Sequence, residues 1–318
     1  MFKIKILSLC GLLVTVLAAA LPAQAASFSF AMLGDTPYHL PGDYERFERL
    51  IKRINAAKPA FSIHVGDIKP GNSLCSDEWF ERMYRSFDTF EQPLVYTPGD
   101  NEWTDCHRPD NGGMDPLERL AKLRSLYFAD PAKSLGRTRM PLEFQQALVE
   151  NARWERGGVV FATLHIIGSN NNLQRDQAAV NEYIARNAAN LAWMREAFEE
   201  ARKRNARAVV LAFQADPGWD LDGFEDRRSG FTDTLAELRR QAAAFGKPVL
   251  VIHGDRHRFV IDKPLRANRQ LMANVTRLMG FGDFEVHGVL ITVDSDNPDV
   301  FSYTTLMVPE NLAPRAKP

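Results

Sequence analysis

The chain has 318 residues, with 39 Lys and Arg side chains against 40 Asp and Glu and a formal net charge of −1. This balance leaves no broad positive field, so we expect no binding to nucleic acid or to an anionic membrane surface. With 45% hydrophobic and 25% charged residues, the chain has the composition of a globular protein of enzyme size, and a small-molecule ligand or a neutral partner is favoured.

The first 25 residues have the features of a signal peptide. Lys3 and Lys5 precede a long apolar run, and Ala23 and Ala25 form the small-residue pattern at which signal peptidase cleaves. We therefore predict a cleaved leader over residues 1–25 and a periplasmic or secreted protein that keeps no membrane anchor. An uncleaved anchor is the alternative, although a strand-like stretch follows the cleavage pattern directly.

Cleavage of the leader would remove Cys10 and leave two cysteines in the mature chain, Cys75 and Cys106. Two remaining thiols in an oxidising compartment usually pair, so we predict a disulfide between them. Two free, buried thiols are the alternative.

Six apolar runs have the length of β-strands, and several are continuous in the way expected of strands that are covered on both faces. They lie at residues 27–33, 61–65, 93–97, 159–167, 208–214 and 248–253.

Helical periodicity occupies the segments between these runs, at residues 43–57, 76–87, 180–205 and 231–246. Asp43 is the predicted N-cap of the first helix, and Gly246 is placed to end the last one. Alternating strands and helices indicate an α/β fold, and the strand-like segments after residue 258 are predicted to be antiparallel edge strands. We expect one domain over residues 27–310, followed by a tail at 311–318.

Four of the predicted strands end in a Gly-Asp pair, within "GDTP", "GDIKPG", "PGDNEW" and "HGDRH". The four aspartates are Asp35, Asp67, Asp100 and Asp255. Glycine lets the backbone turn sharply where a strand ends, and ligand sites of α/β sheets lie at the carboxyl ends of strands. A single Gly-Asp pair is an ordinary turn, but four of them on separate strands point to one place.

Four carboxylates in one crevice repel each other unless cations neutralise them. The sequence therefore predicts a metal site, with about two divalent ions held by about two carboxylates each.

The arrangement resembles the calcineurin-like metallophosphoesterases, whose motifs run in the order D-x-H, GD, GNH(E/D), a lone His after a strand, and GHxH. The same order is found here as "GDTP", "GDIKPG", "PGDNEW", "LAFQADP" and "HGDRH". The chain looks like an exported branch of that superfamily that shares these altered motifs. The resemblance implies a four-layer α/β/β/α sandwich of two mixed sheets.

Carried over position by position, the resemblance assigns metal ligands. Asp35 and His257 would bind the first metal, Asp67 would bridge both metals, and Asp100 and Asp255 would bind the second. Each of these residues stands in the matching motif of this chain.

Asp100 replaces the Asn of GNH(E/D), Asp255 replaces the first His of GHxH, and three further positions depart from the family pattern. Pro37 stands where D-x-H has its histidine, and Asn101 stands where the family has the histidine that protonates the leaving group. Gln214 falls close to the lone histidine and would supply a carbonyl oxygen. Because imidazoles are exchanged for oxygen donors, the site is expected to favour Mn²⁺ or Mg²⁺ over Zn²⁺, with Ca²⁺ and iron as alternatives.

The reaction implied by the resemblance is hydrolysis of a phosphomonoester or phosphodiester by a metal-bridging hydroxide held near Asp67. Asn101 could hydrogen-bond a phosphoryl oxygen, although an amide cannot act as an acid. His165 is the predicted proton donor, with His107 and His253 as alternatives; a structural role is the competing interpretation for all three.

Further polar residues near the predicted site have two interpretations each. Asn170 and Asn171 in "GSNNN" could contact the substrate, but consecutive asparagines are also ordinary loop composition. Lys69 and Arg256 could bind phosphate or only offset the carboxylates. Asp105 could line the pocket.

Two functions therefore compete. The first is an exported, metal-dependent phosphoesterase acting on a small phosphoester. The alternative is a catalytically impaired protein on the same fold that binds a metal or ligand, because the histidines that are absent are those of the chemical step. The near-complete set of oxygen ligands favours the enzyme.

Overall fold

The computed structural model describes residues 27–219, 229–294 and 296–312. The predicted signal peptide at 1–25 lies outside the described residues, and so does most of the predicted tail.

Fourteen strands and six helices make up the described chain. In order they are β1 (Phe28–Leu33), α1 (Gly42–Ala57), β2 (Ser62–His64), α2 (Asp77–Phe87), β3 (Leu94–Tyr96), α3 (Pro116–Tyr127), β4 (Glu143–Phe144), β5 (Ala152–Arg156), β6 (Val159–Thr163), α4 (Gly168–Asn171), α5 (Gln177–Lys203), β7 (Ala208–Ala212), α6 (Thr232–Phe245), β8 (Val249–His253), β9 (Val260–Asp262), β10 (Arg266–Ala267), β11 (Gln270–Leu271), β12 (Val275–Met279), β13 (Gly288–Val293) and β14 (Phe301–Leu306). Short 3-10 turns lie at Thr104–His107, Pro109–Asn111 and Pro309–Asn311.

The strands form two mixed sheets and a separate β10-β11 hairpin. The first sheet has the order β14-β13-β1-β2-β3, and the second has the order β4-β5-β6-β7-β8-β12-β9. In the first sheet, β1, β2 and β3 are parallel to one another. In the second, β6, β7, β8 and β12 are parallel. The parallel strands of each sheet therefore send their carboxyl ends to a common edge.

The alternation of side chains along β1 explains the layering. Phe30 and Met32 enter a core shared by the two sheets, whereas Ala31 and Leu33 face the core beneath α1 and α2. A third core joins the outer face of the second sheet to α5 and α6. Helices thus cover the outer face of each sheet, and the predicted four-layer α/β/β/α sandwich is confirmed.

Several elements differ from the sequence prediction. Asp43 is not an N-cap: it lies inside α1, where its carboxylate accepts backbone N–H groups of Tyr38 and His39. Antiparallel strands do follow residue 258, but β12 lies parallel to β8, between β8 and β9. The sequence analysis missed α3, β4 and β5. Gly246 ends α6 in the left-handed conformation, as predicted.

No helix among the described residues combines the length and apolar character needed to cross a membrane.

Candidate metal centre

The aspartates that follow β1, β2 and β8 adopt a left-handed backbone conformation. The φ angle is 51° at Asp35, 55° at Asp67 and 77° at Asp255, whereas Gly66 alone among the four glycines that precede the aspartates has a positive φ. The left-handed residue of these three turns is therefore the aspartate, together with Gly66 in the turn after β2. This corrects the sequence interpretation, which assigned the sharp turn to the glycines.

The glycines near the aspartates have another role, which is to leave room for a carboxylate from a different turn. A Cβ atom added to any of three glycines would lie far inside contact distance of such a carboxylate oxygen. These contacts are Gly254 with Asp35 Oδ2 at 1.9 Å, Gly99 with Asp67 Oδ1 at 2.1 Å, and Gly168 with Asp100 Oδ1 at 2.6 Å. The turns consequently pack into one another.

Asp35, Asp67 and His257 come together at the carboxyl ends of the parallel strands. Each offers one ligand atom, and these atoms all lie within 4.8 Å of one another. His257 Nε2 lies 3.5 Å from Asp35 Oδ1. These three residues are the set that the sequence resemblance assigned to the first metal.

The chemistry of this group fits a bound cation. Asp35 Oδ2, His257 Nε2 and Asp100 Oδ1 are buried and have no hydrogen-bond partner among the residues that the structure describes. Burial raises the pKa of Asp35 and, more strongly, that of Asp67, and the negative charge of Asp100 adds to both shifts. A divalent cation would pair the orphaned atoms and remove the cost of burying like charges.

One oxygen of Asp67 is saturated by hydrogen bonds from the protein. Asp67 Oδ2 accepts from Tyr38 Oη at 2.8 Å, from Asn101 Nδ2 at 2.8 Å and from Gln214 Nε2 at 3.2 Å. Within the described part of the chain, Asp67 Oδ1 accepts only the Asn101 backbone N–H, at 3.3 Å. Oδ1 is therefore the oxygen of Asp67 that is better placed to bind a cation.

Gln214 uses its amide in a way that differs from the sequence prediction of a metal ligand. Its carbonyl oxygen accepts the backbone N–H of Gly168 at 2.6 Å, while its NH₂ group points to Asp67. The structure thus makes Gln214 a positioning residue for Asp67 and for the turn at α4.

Asp100 and Asp255 flank the three-residue group. The backbone N–H of Asp255 donates to Asp35 Oδ1 at 2.9 Å, and Asp255 Oδ2 accepts the N–H of Asp216 at 2.9 Å. Burial, followed by the charge of Asp100, raises the pKa of Asp255 to about 7.

Ser169 links Asp100 to a second buried acid, Asp105. Ser169 Oγ lies 2.8 Å from Asp100 Oδ2 and 2.8 Å from Asp105 Oδ1. One hydroxyl has one proton and can donate to only one of the two carboxylates. Burial, together with the charge of Asp100, raises the pKa of Asp105 to about 7, while the positive charge of Arg108 opposes this rise.

Asn101 is held from both its side chain and its backbone. Its Nδ2 also lies 2.9 Å from Tyr38 Oη and 3.1 Å from the Lys69 carbonyl oxygen, so its two N–H groups are shared among three acceptors. The Lys69 ammonium donates to the backbone carbonyls of Asn101 and Pro70 and is fully buried. Lys69 therefore supports the loop, and the structure gives its ammonium no exposed surface for phosphate.

The sequence analysis missed two residues of this centre, Tyr38 and Glu102. Glu102 Oε1 accepts from the backbone N–H groups of Asp67 and Gly99 and from Tyr96 Oη. The signal for Glu102 was its place directly after Asp100 and Asn101. Tyr38 left no comparable signal, because its contact with Asp67 joins two strand ends 29 positions apart.

The predicted proton donor His165 is buried at 0% exposure. Its Nδ1 pairs with Glu150 Oε1 at 2.6 Å, and its ring packs on Trp103. Among the described contacts of this side chain, none reaches the aspartates. His107 bonds the Thr104 carbonyl, and His253 is buried beside Trp219.

The predicted substrate contacts Asn170 and Asn171 connect α4 to its surroundings. Asn170 Oδ1 accepts the backbone N–H of Gly230, and Asn171 Nδ2 donates to the Gly230 carbonyl. Asn171 is fully buried and also bonds Arg186, so its amide is committed within the protein.

The predicted disulfide between Cys75 and Cys106 is present, with a Cα–Cα distance of 5.8 Å. Both sulfur atoms face the carbonyl oxygen of Asn101, at 3.6 Å from Cys75 and 3.8 Å from Cys106. The bond therefore connects the loop that follows Asp67 to the loop that carries Asp100.

Comparison with known structures finds low sequence identity over most of the chain. The purple acid phosphatase PPD1 from yellow lupin (Lupinus luteus) seeds is 11% identical with a TM-score of 0.53, over 89% of this chain and 54% of the lupin chain. A dimetal phosphatase from Danio rerio is 10% identical with a TM-score of 0.49, over 88% of this chain and 99% of that one. The likeness to the lupin protein supports the fold alone.

GAP50, described as the anchor in the inner membrane complex of Plasmodium, is 12% identical with a TM-score of 0.46, over 88% of this chain and 89% of that one. No curated protein matches the sequence significantly. The sequence pattern of the calcineurin-like phosphoesterases matches residues 28–259, which is more than half of the chain. The protein is therefore a member of the calcineurin-like phosphoesterase family.

Proposed function

We propose that the protein is an exported, metal-dependent phosphoesterase that hydrolyses a small phosphoester. The observation that carries the proposal is the convergence of Asp35, Asp67 and His257 within 4.8 Å, together with two buried atoms, Asp35 Oδ2 and His257 Nε2, that have no hydrogen-bond partner among the described residues. Asp35, His257 and Asp67 Oδ1 would hold the first cation. Asp100 and Asp255 would contribute to a second, and Mn²⁺ or Mg²⁺ suits this oxygen-rich set.

When bound, divalent cations lower the pKa of water and neutralise phosphoryl oxygens, which is the chemistry that ester hydrolysis needs. The residues of the chain position these ligands. Tyr38, Asn101 and Gln214 donate hydrogen bonds to Asp67 Oδ2. Because the carboxylate group is rigid and planar, these bonds also fix the direction in which Oδ1 points. The amide of Asn101 cannot protonate a leaving group, so we expect esters with good leaving groups to react fastest.

The proposal is tested with the mature protein loaded with Mn²⁺. Turnover of p-nitrophenyl phosphate and of its bis-ester is compared with that of Asp67→Asn, which keeps the size of the side chain. Asp88→Asn is the control, because Asp88 ends α2 with a side chain that is 45% exposed. We expect Asp67→Asn to lose at least 100-fold in kcat/KM and the control to match the wild type. Bound metal without turnover that depends on Asp67 would favour the alternative, a catalytically impaired binding protein.

Export is the second part of the proposal. The leader pattern at residues 1–25 and the presence of the Cys75–Cys106 bond support it, since structural disulfides persist in oxidising compartments. Expression of the full chain in a Gram-negative bacterium, followed by intact-mass measurement of the periplasmic fraction, should give a chain that begins at Ala26. A chain that keeps Met1 and stays in the cytoplasm would contradict export.

A further inference from the structure

Arg108 is a cation that lies at the edge of the metal centre and reaches solvent. Its Nη1 lies 2.7 Å from Asp105 Oδ2, and its Nη2 donates to Ser169 Oγ at 3.2 Å. The Arg108 side chain is 45% exposed, whereas that of Asp105 is 3% exposed. The guanidinium is therefore held from behind by a buried acid and presents its other side to solvent.

The guanidinium is connected to the metal centre through one hydroxyl. Ser169 Oγ, which accepts from Arg108, lies 2.8 Å from Asp100 Oδ2. Gly71 packs against Asn101 beside the guanidinium: a Cβ there would lie 2.8 Å from Asn101 Oδ1 and 3.8 Å from Arg108 Nη1. Arg108 consequently lies next to Asn101 across Gly71, and Ser169 connects it to Asp100.

The backbone fixes the position of Arg108. Its N–H donates to the Asp105 carbonyl at 3.0 Å, and the N–H of Asp105 donates to the Asp100 carbonyl at 3.0 Å. Cys106 lies within the same loop and is anchored by the disulfide. A cation held in this way loses little conformational entropy when a ligand binds.

Within the described contacts, the guanidinium keeps donors for a ligand. Each terminal nitrogen uses one N–H in the contacts with Asp105 and Ser169, and a guanidinium has five N–H groups in all. The planar arrangement of these donors matches two oxygens of a phosphoryl group. Arg256, at 71% side-chain exposure and 3.5 Å from Asp216, is held much less firmly.

We propose that Arg108 binds the phosphoryl group of the substrate and the phosphate product at the mouth of the metal centre. This inference deepens the proposed function and rests on it. It answers an electrostatic need, because the carboxylates surrounding the site repel an anionic ligand and Arg108 offers a fixed positive charge beside Asp100.

The test measures binding of inorganic phosphate to the Mn²⁺-loaded protein by calorimetry, in the wild type, Arg108→Ala and Arg108→Lys. Arg204→Ala is the matched control, since its side chain is 47% exposed and pairs with Glu200 one helical turn away. We expect at least tenfold weaker binding for Arg108→Ala, about threefold weaker for Arg108→Lys, and no change for the control. Manganese content should be equal in all four proteins.

Three results would overturn the inference: phosphate affinity of Arg108→Ala within twofold of wild type, an equal loss in the Arg204 control, or no phosphate binding by the wild type. If Arg108→Ala does not fold, Arg108→Lys decides, because it keeps a positive charge beside Asp105.

Kinetics with p-nitrophenyl phosphate should show the loss chiefly as a higher KM. If the wild type binds phosphate through Arg108 but shows no turnover, the phosphate site is supported and the proposed hydrolase activity is contradicted.

Discussion

The phenol of Tyr38 donates a 2.8 Å hydrogen bond to Asp67 Oδ2, across the ends of two neighbouring strands. Asn101 Nδ2 donates to both atoms of this contact, so the three groups form a closed triangle. The triangle fixes the carboxylate of Asp67 without using the oxygen that is available to a cation.

Removal of the phenol hydroxyl should weaken metal binding. The hydrogen bond from Tyr38 lowers the pKa of Asp67 against the larger effect of burial, so in Tyr38→Phe a proton competes better with the cation. We expect about tenfold lower Mn²⁺ affinity at pH 7, and a smaller deficit at higher pH, measured by metal titration. Tyr303→Phe, on β14, is the control and should bind Mn²⁺ like the wild type.

An alanine at Gly168 should damage the metal centre while the fold survives. Its Cβ would lie 2.6 Å from Asp100 Oδ1, so the carboxylate must move. We expect at least tenfold lower Mn²⁺ affinity in Gly168→Ala, with a far-UV circular dichroism spectrum like that of the wild type. Gly42→Ala is the control, because a Cβ at Gly42 meets nothing within 4 Å. An unchanged metal affinity in Gly168→Ala would show that Asp100 is not needed there.

Removal of metal by a chelator should leave a protein whose stability increases as the pH falls through 7. Burial raises the pKa of Asp105 and of Asp255 to about 7. At any pH above the pKa that these two carboxyl groups have in the unfolded chain, the folded state binds more protons than the unfolded state. The free energy of unfolding therefore rises as the pH falls through 7.

Buried histidines oppose this trend at lower pH. Burial lowers the pKa of His64 to about 3 and that of His253 to about 4. Unfolded histidines take up protons below about pH 6.5, which favours unfolding. With EDTA present we expect the melting temperature to rise from pH 8 to about pH 6.5 and then to level or fall. Saturating Mn²⁺ should raise the melting temperature most at pH 8; a melting temperature in EDTA that falls steadily from pH 8 would contradict the assignment.

Loss of the disulfide should destabilise the protein. The cysteines are 31 positions apart, and closing a loop of that length contributes about 3 to 4 kcal/mol on the chain-entropy account. We expect the Cys75→Ser, Cys106→Ser double variant to unfold at a lower urea concentration, with a free energy of unfolding that is smaller by this amount. A reductant should lower the stability of the wild type and leave the double variant unchanged. Titration of the unreduced, denatured mature chain should find no free thiol.

The sequence predicted the parts of this structure that local patterns specify. The strands that end at Asp35, Asp67, Asp100 and Asp255 have apolar runs and Gly-Asp ends, and the family resemblance supplied His257. These features were readable because each is written within a few consecutive residues.

Features made by distant contacts were not readable in the same way. The position of β12 in the sheet depends on its parallel pairing with β8. The amide oxygen of Asn171 accepts a hydrogen bond from Arg186, and that of Gln214 accepts one from the backbone N–H of Gly168. A polar side chain in a loop looks the same in sequence whether its partners are protein groups or a substrate.

Because glycines of one turn pack against carboxylates of another, substitutions in the different turns depend on each other. A side chain at Gly99 would occupy the volume of Asp67 Oδ1, and one at Gly254 would occupy that of Asp35 Oδ2. A substitution in one turn is therefore tolerable only after the carboxylate of another turn has been shortened or lost. We expect homologues to gain a side chain at either glycine only together with loss of the facing aspartate, so the turns should be inherited as a unit.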